Sequence, residues 1–531
     1  MFTSRIRFIG NEPFHQTVFF VLLCALAVAI PTSRTGMSTV QILLGVNWLF
    51  EGRFHEKLKR FFQNKPALIF TAIYMVHILG LIWTENLVYG ITSDLKTKLP
   101  IFVLAFIIGS SKPLRVKQLY VILILFIATV FVISVIGTSI YLSGNYLDFR
   151  QVSPFISHVY VSLMALISAI ILPWLIKRLI VEKKWHFAAY LFSAWLVAFL
   201  FVLKSFTGMF ALTGVLLFFI IRWIYLGRNV VLNLTVASLL ILLTFAFGYT
   251  TLKMYKRVSM EIDAGKPDKY ESTALGNLYF HDLQNDQREN GHLIYYYISE
   301  HELRKAWNER SSLDYDGNDL RGNKLRFTLF RYMASKGLKK DQEGLNELND
   351  KDIKAIEKGI PNYLYTQWPG LLVRIHQSTW EIYWYKQNQS PTGHTVAQRL
   401  ELWRASWVAF KEKPVFGWGT GDLFAAMEFG LKSLDSKLGN YRMKPHNQYL
   451  LFLITLGIAG SLAIYICIFV YVWFTKAYRY FPFNAFLVIL LVSMLGNHII
   501  DSQEGVTLFA FFSLLFGILF PRSQTGTELK A

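Results

Sequence analysis

LYVILILFIATVFVISVIGTSIY, residues 119–141, runs for 23 residues without one charged side chain. A helix rises about 1.5 Å per residue, so about 20 mostly apolar residues cross a hydrocarbon core of roughly 30 Å. A surface helix of a soluble domain would show a charged face over this length. The stretch therefore reads as the body of a membrane span near 117–141. Similar runs lie near 14–30, 37–50, 66–84, 98–111, 155–176, 185–204, 206–222, 229–250, 447–474, 480–500 and 505–520. The expected total is twelve, the first two being short. Arg5 and Arg7 ahead of Phe19–Ile30 also resemble a signal peptide, but a polytopic chain more often keeps such a segment as its first anchor.

The composition agrees. Of 531 residues, 53% are hydrophobic and 17% charged, against about 25% charged in ordinary soluble domains. A soluble enzyme, a disordered chain and a fibrous protein are excluded. Residues 251–446 differ from the rest and read as a water-exposed, helix-rich insert. The fold expected is an all-α polytopic membrane protein. Residues 1–250 hold about nine transmembrane helices, 251–446 form one large loop domain, and 447–531 hold about three helices and a short tail.

Charge sets the orientation. The formal net charge is +19. The insert carries 29 basic against 25 acidic residues, so most of the excess sits between apolar runs. With the N-terminus in the cytoplasm, cytoplasmic segments carry 20 Lys and Arg, and the short outer loops five. Basic residues in short loops mark the cytoplasmic side. Both termini are then cytoplasmic, and the insert faces outward. Topology accounts for the charge, and no nucleic-acid partner is expected. Cys24 and Cys467 lie inside apolar runs and suggest neither a disulfide framework nor a zinc site.

Within the insert, Leu345 to Glu357 has helical spacing with an Asn349 or Asp350 cap, ended by Gly359-Ile360-Pro361. Leu371 to Tyr385 reads as a helix broken at Ser390-Pro391-Thr392-Gly393. The next is the best marked. Thr395 and Gln398 fit a capping box. Leu400, Trp403, Trp407 and Phe410 form one apolar face, and Pro414 stops the helix. Arg399, near the helix start, opposes the macrodipole by roughly 0.3–1 kcal/mol. A bound anion would be attracted by both the dipole and the guanidinium, and the alternative is pairing with a loop carboxylate. Gly417-Trp418-Gly419-Thr420-Gly421-Asp422 follows a helix rather than a strand, so it reads as a tight turn needing positive φ, not a dinucleotide fingerprint. Asp314 to Asp319 lacks the Gly and Glu of a calcium loop. No metal and no cofactor are expected. His446 stands where the insert re-enters the membrane, beside Arg442 and Lys444.

Group transfer at the outer face of a bacterial membrane must use a donor activated inside and carried across, since nucleotides are absent there. A polyprenyl-diphosphate glycan fits, with its tail in the bilayer and its head at the interface. Its diphosphate leaving group needs cationic and amide donors. The attacking hydroxyl gains from a base near neutral pKa, which is the range of histidine. Arg399, Arg404, Lys204, Arg442, Lys444 and His446 supply these groups.

The chain also resembles the bacterial O-antigen ligase and O-antigen polymerase superfamily. Four features carry the resemblance. They are the twelve-span layout with a large loop before the last three spans; Arg399-Leu400-Glu401-Leu402-Trp403 through Pro414-Val415-Phe416-Gly417-Trp418-Gly419; His446-Asn447-Gln448-Tyr449-Leu450 with Leu456-Gly457-Ile458-Ala459-Gly460; and Lys204-Ser205-Phe206-Thr207-Gly208 opening a span. Arg331-Tyr332-Met333-Ala334-Ser335-Lys336-Gly337-Leu338 looks like the Bacteroidetes-type branch. The resemblance implies a type-C glycosyltransferase-like fold and metal-independent transfer from an undecaprenyl-diphosphate-linked glycan. The acceptor it implies is the lipid A–core oligosaccharide for a ligase, or another repeat unit for a polymerase. Transfer to a periplasmic protein is a third form. It gives His446 the role of activating the acceptor and Arg399 that of holding the diphosphate, with Lys204, Arg404 and Lys444 as further cations. The family often has an arginine where this chain has Phe206, and Lys204 is the substitute expected. A ligase is favoured over a polymerase. A polysaccharide transporter or flippase is the reading from a different class.

Overall fold

The computed structural model describes residues 1–531 except 1–10, 145, 147–148, 227–229, 264–269, 389–390, 393, 440 and 521–531. Arg5, Arg7, Ser390, Gly393 and the C-terminal tail lie outside the described residues. The chain is 73% helix, and among the described residues two short strands of two residues each pair, so the fold is nearly all-helical, as expected. A helix occupies each of the twelve apolar stretches. Among the described residues, six are long and apolar enough to cross a membrane: Glu12–Thr32, Val116–Ser143, His158–Leu179, Lys183–Val202, Phe206–Tyr225 and Gln448–Thr475. Lys65–Leu79, Phe481–Gly496 and Gln503–Leu519 are shorter apolar helices. The twelve-span layout remains a proposal.

The chain divides into two compact units, Met1–Leu226 with Glu401–Ala531, and Gly227–Leu400. In the first unit, apolar helices pack around a phenylalanine-rich centre. Phe512 meets Phe126 edge-on at 4.9 Å and packs against Phe486 at 5.5 Å, and all three are buried. Gln448–Thr475 is broken at Gly457, whose φ is +63°. The break has a use. Freed amides and carbonyls of the break pair with the turn that follows the helix Thr395–Glu412. Trp418 N donates to Ile454 O at 2.8 Å and Gly419 N to Thr455 O at 2.9 Å, while Ile458 N donates to Pro414 O at 2.9 Å. A side chain at 457 would place its Cβ 2.3 Å from Val415 O, so only glycine permits this approach. Gly417 and Gly419 have φ of +74° and +113°, as the reading of a tight turn requires.

The second unit sets the helix Val230–Val258 against Gly370–Asn388, with Val258, Trp380 and Trp384 at the contact. Beyond it, Glu300–Arg310, Leu325–Ser335, Gln342–Asn346 and Asp350–Glu357 enclose Trp307, Tyr315, Leu329 and Tyr332. Asn349 caps Asp350–Glu357 through a capping box with Asp352, one of the two caps expected. Asp316 pairs with Arg304 at 2.8 Å, and Asp319 accepts from Arg321 N at 2.9 Å and Asn323 N at 3.0 Å, so these acidic residues pin a loop.

The expected register of Thr395–Glu412 is corrected in two respects. Thr395 is the first helical residue rather than the cap, because the Glu381 carboxylate accepts from Val396 N at 2.7 Å and supplies the capping oxygen itself. The buried stripe is Leu402, Ala405, Ser406, Ala409 and Phe410; of the face expected, Phe410 is buried, Leu400 and Trp403 are half-buried and Trp407 is 51% exposed. Small side chains let this helix close on Leu423–Ser433, where a Cβ at Gly430 would lie 2.1 Å from Ala405 O.

Candidate active site

In the first unit, the chain entering Gln448–Thr475 is pinned at four of the five residues from 444 to 448. Lys444 Nζ donates to Asp501 at 2.6 Å. Pro445 O accepts from Trp403 Nε1 at 3.0 Å. Asn447 caps the helix by accepting from Leu450 N at 3.1 Å and donates to Leu495 O at 3.1 Å. Gln448 Oε1 accepts from Ile500 N at 2.9 Å. His446 sits among these anchors, half-buried, with φ of +50°. Left-handed backbone at a non-glycine residue costs roughly 1–2 kcal/mol, and such outliers gather at functional positions. The cap of this helix is Asn447, so His446 is not the cap.

Asp501 joins this segment to a buried charge chain. It accepts from Lys98 Nζ at 2.8 Å as well as from Lys444, and Lys98 also pairs with Asp94. Lys98 is 0% exposed, Asp501 7% and Asp94 8%. Two ammonium groups and two carboxylates balance, which is what makes burial of four charges tolerable. His498, three residues before Asp501, lies with its ring 5.1 Å from that of His446. At Lys444, burial pushes the ammonium pKa down, but the Asp501 carboxylate outweighs it and the net shift is upward. Lys444 thus stays charged, and one or two of its three N–H donors remain for another anion.

Sequence reasoning missed Asp94, Lys98, Asp501 and His498. A signal was present. Asp94 and Lys98 are spaced i, i+4 at the edge of an apolar run, and an ionisable pair there marks a functional position.

The other predicted cations are placed as follows. Arg404 pairs with Glu401 at 3.2 Å on its own helix. Lys204 is exposed, has φ of +49°, and its ammonium stands 5.8 Å from the Tyr141 ring. Arg442 lies over the Phe424 ring at 4.6 Å.

In the second unit, Arg399 is half-buried beside Glu381 and Arg374. Burial and the neighbouring Arg374 lower its pKa, and Glu381 counters them. The carboxyl of Glu381 is raised by burial, against the Val396 amide and the surrounding Arg374, Arg399 and Arg331. So the helix start does attract an anion, and Glu381 provides one from the neighbouring helix Gly370–Asn388. Arg331 is itself held by Glu289, so three guanidinium groups face two carboxylates and an excess of one positive charge remains. Trp380 lines the same region, with the Arg331 guanidinium 4.6 Å from its ring and His394 5.3 Å away. Arg374, like Glu381, was not foreseen.

No curated protein matches the chain. Residues 359–465, which include Arg399, the helix break at Gly457 and His446, match the family model described as O-antigen ligase. That match supports a likeness of this part of the chain to the O-antigen ligase and polymerase superfamily, whose members are membrane glycosyltransferase-like enzymes.

Proposed function

We propose that the protein is an O-antigen ligase-like glycosyltransferase of the bacterial inner membrane. It moves a glycan from undecaprenyl diphosphate to the lipid A–core oligosaccharide at the periplasmic face. The observation that carries the reading is the family match at 359–465, which takes in both the histidine and the arginine expected to act. His446 accepts the proton of the acceptor hydroxyl as its oxygen bonds to the anomeric carbon. The bond from that carbon to the diphosphate breaks, and its electron pair stays on the departing lipid diphosphate. Arg399, with one or more of Lys204, Arg404 and Lys444, holds that anion. The chain's own groups supply both the base and the counter-charge, so no metal enters the step. A base contributes about 10²–10⁴ in rate, and each charge donor roughly 10²–10³.

The test is reconstitution of the full chain with a lipid-diphosphate glycan and lipid A–core. His446→Ala should lower kcat by at least about 10² with donor binding kept. Arg399→Ala should weaken donor binding and transfer together. Full transfer by His446→Ala refutes the base assignment. Product built on a second repeat unit rather than on lipid A–core would make the protein a polymerase.

A further inference from the structure

The second unit holds an open cavity of about 670 Å³ that no step of glycan transfer uses. Lys253, Lys256, Arg257, His292 and Lys336 line it. The first three come from the end of Val230–Val258 and share one helix face, spaced i, i+3 and i+4. The rest of that helix is mostly apolar, and among its described side chains Leu234 is 62% exposed, Ile241 71% and Phe245 72%. A lipid environment is what such a surface requires. At about 1.5 Å per residue, the three cations then sit one to two turns beyond the apolar stretch, at the depth of lipid head groups.

Their position is costly on topological grounds. Basic residues next to a span favour the cytoplasmic side, yet this end of the helix continues into the outward insert. His292 is engaged by Asp263 at 3.0 Å and Lys336 by Asp352 at 2.8 Å. No carboxylate among the described residues pairs with Lys253 or Lys256. The cavity also has apolar wall at Met260 and Ile262. Surplus positive charge, an apolar wall and a lipid-facing helix suit one chemistry.

We propose that this cavity binds the phosphate group of a membrane amphiphile. Its cations grip the phosphate, and the tail follows the apolar helix into the bilayer. Arg399 is not among the residues that line the cavity, and the proposal does not depend on the transferase reading.

The test uses the full chain in mixed micelles, with binding read by native mass spectrometry. The probes are dioctanoyl phosphatidic acid, dioctanoyl phosphatidylcholine and inorganic diphosphate. The phosphatidic acid should bind at least tenfold more tightly than the phosphatidylcholine of equal tail. The double variant Lys253→Gln, Lys256→Gln and the single variant Arg257→Gln should each weaken it about tenfold. Lys351→Gln with Lys354→Gln removes equal charge from an exposed helix and should leave it unchanged. Equal affinity in wild type and in both cavity variants overturns the site. Inorganic diphosphate competing as well as the lipid overturns the membrane source and assigns the cavity to soluble phosphates.

Discussion

Lys98 and Lys444 hold the same carboxylate but should differ sharply when removed. Lys98 is wholly buried and bridges Asp94 and Asp501, so Lys98→Met strands Asp94 away from water and leaves Asp501 with Lys444 alone. Breaking a buried ion pair by deleting one partner costs about 3–5 kcal/mol. Lys444 is 26% exposed at its side chain and satisfies only Asp501, which keeps Lys98. Its loss removes one charge-assisted hydrogen bond, about 1.5–3 kcal/mol, partly offset by water. Transfer should rank the two differently from stability. Lys444 is two residues from His446 and fixes that segment, and an error of about 1 Å at a reacting group costs roughly 10² in rate. Lys444→Met should therefore fold and yet lose most of its transfer. The assay is urea unfolding in mixed micelles read by tryptophan fluorescence, paired with glycan transfer on the same preparations. A Lys98→Met variant within 1 kcal/mol of wild type, or a Lys444→Met variant costing as much as Lys98→Met, refutes the charge chain as described.

Gly457→Ala should destabilise the chain by more than about 2 kcal/mol in the same unfolding assay, since left-handed backbone alone costs roughly 1–2 kcal/mol and the new Cβ meets Val415 O at 2.3 Å. Lys340 is buried with its ammonium on Leu293 O at 2.8 Å, and burial pulls its pKa from 10.5 down to about 7. Between those values the unfolded chain binds a proton that the folded chain does not, so Lys340 costs stability, most fully below about pH 7 and not at all above 10.5. Lys340→Met should thus be more stable than wild type at pH 7, with the gap closing by at most about 1.4 kcal/mol per pH unit as pH rises. Parallel melts across that range check the sign. Transfer should persist in excess chelator, and loss of transfer restored by a divalent ion would count against metal-free chemistry.

The sequence told most where physics is local and repetitive. Twelve apolar stretches are twelve helices, because a run such as Leu119–Tyr141 has no charge to bring it to water. The turn at Gly417 and Gly419 and the cap at Asn349 were legible for the same reason: backbone geometry demands those residue types. What escaped depended on partners far along the chain. Nothing near Thr395 announces that Glu381 will cap its helix, and nothing near Lys444 announces Asp501. The hairpin at Arg288–Glu289 and His292–Leu293 is a different omission, since Asn290-Gly291, both at positive φ, is a strong local turn signal that the helix-rich pattern masked. Of the site, residue types were readable and their anchoring was not.

The backbone twist at His446 decides which replacement asks a chemical question. Asparagine tolerates a φ of +50° better than most residues. Alanine gives up the imidazole and meets the conformational penalty as well, and a β-branched residue would meet it more severely. An His446→Asn protein keeps its main chain and forfeits only proton transfer, so whatever turnover it retains measures how far the remaining machinery works without a proton acceptor.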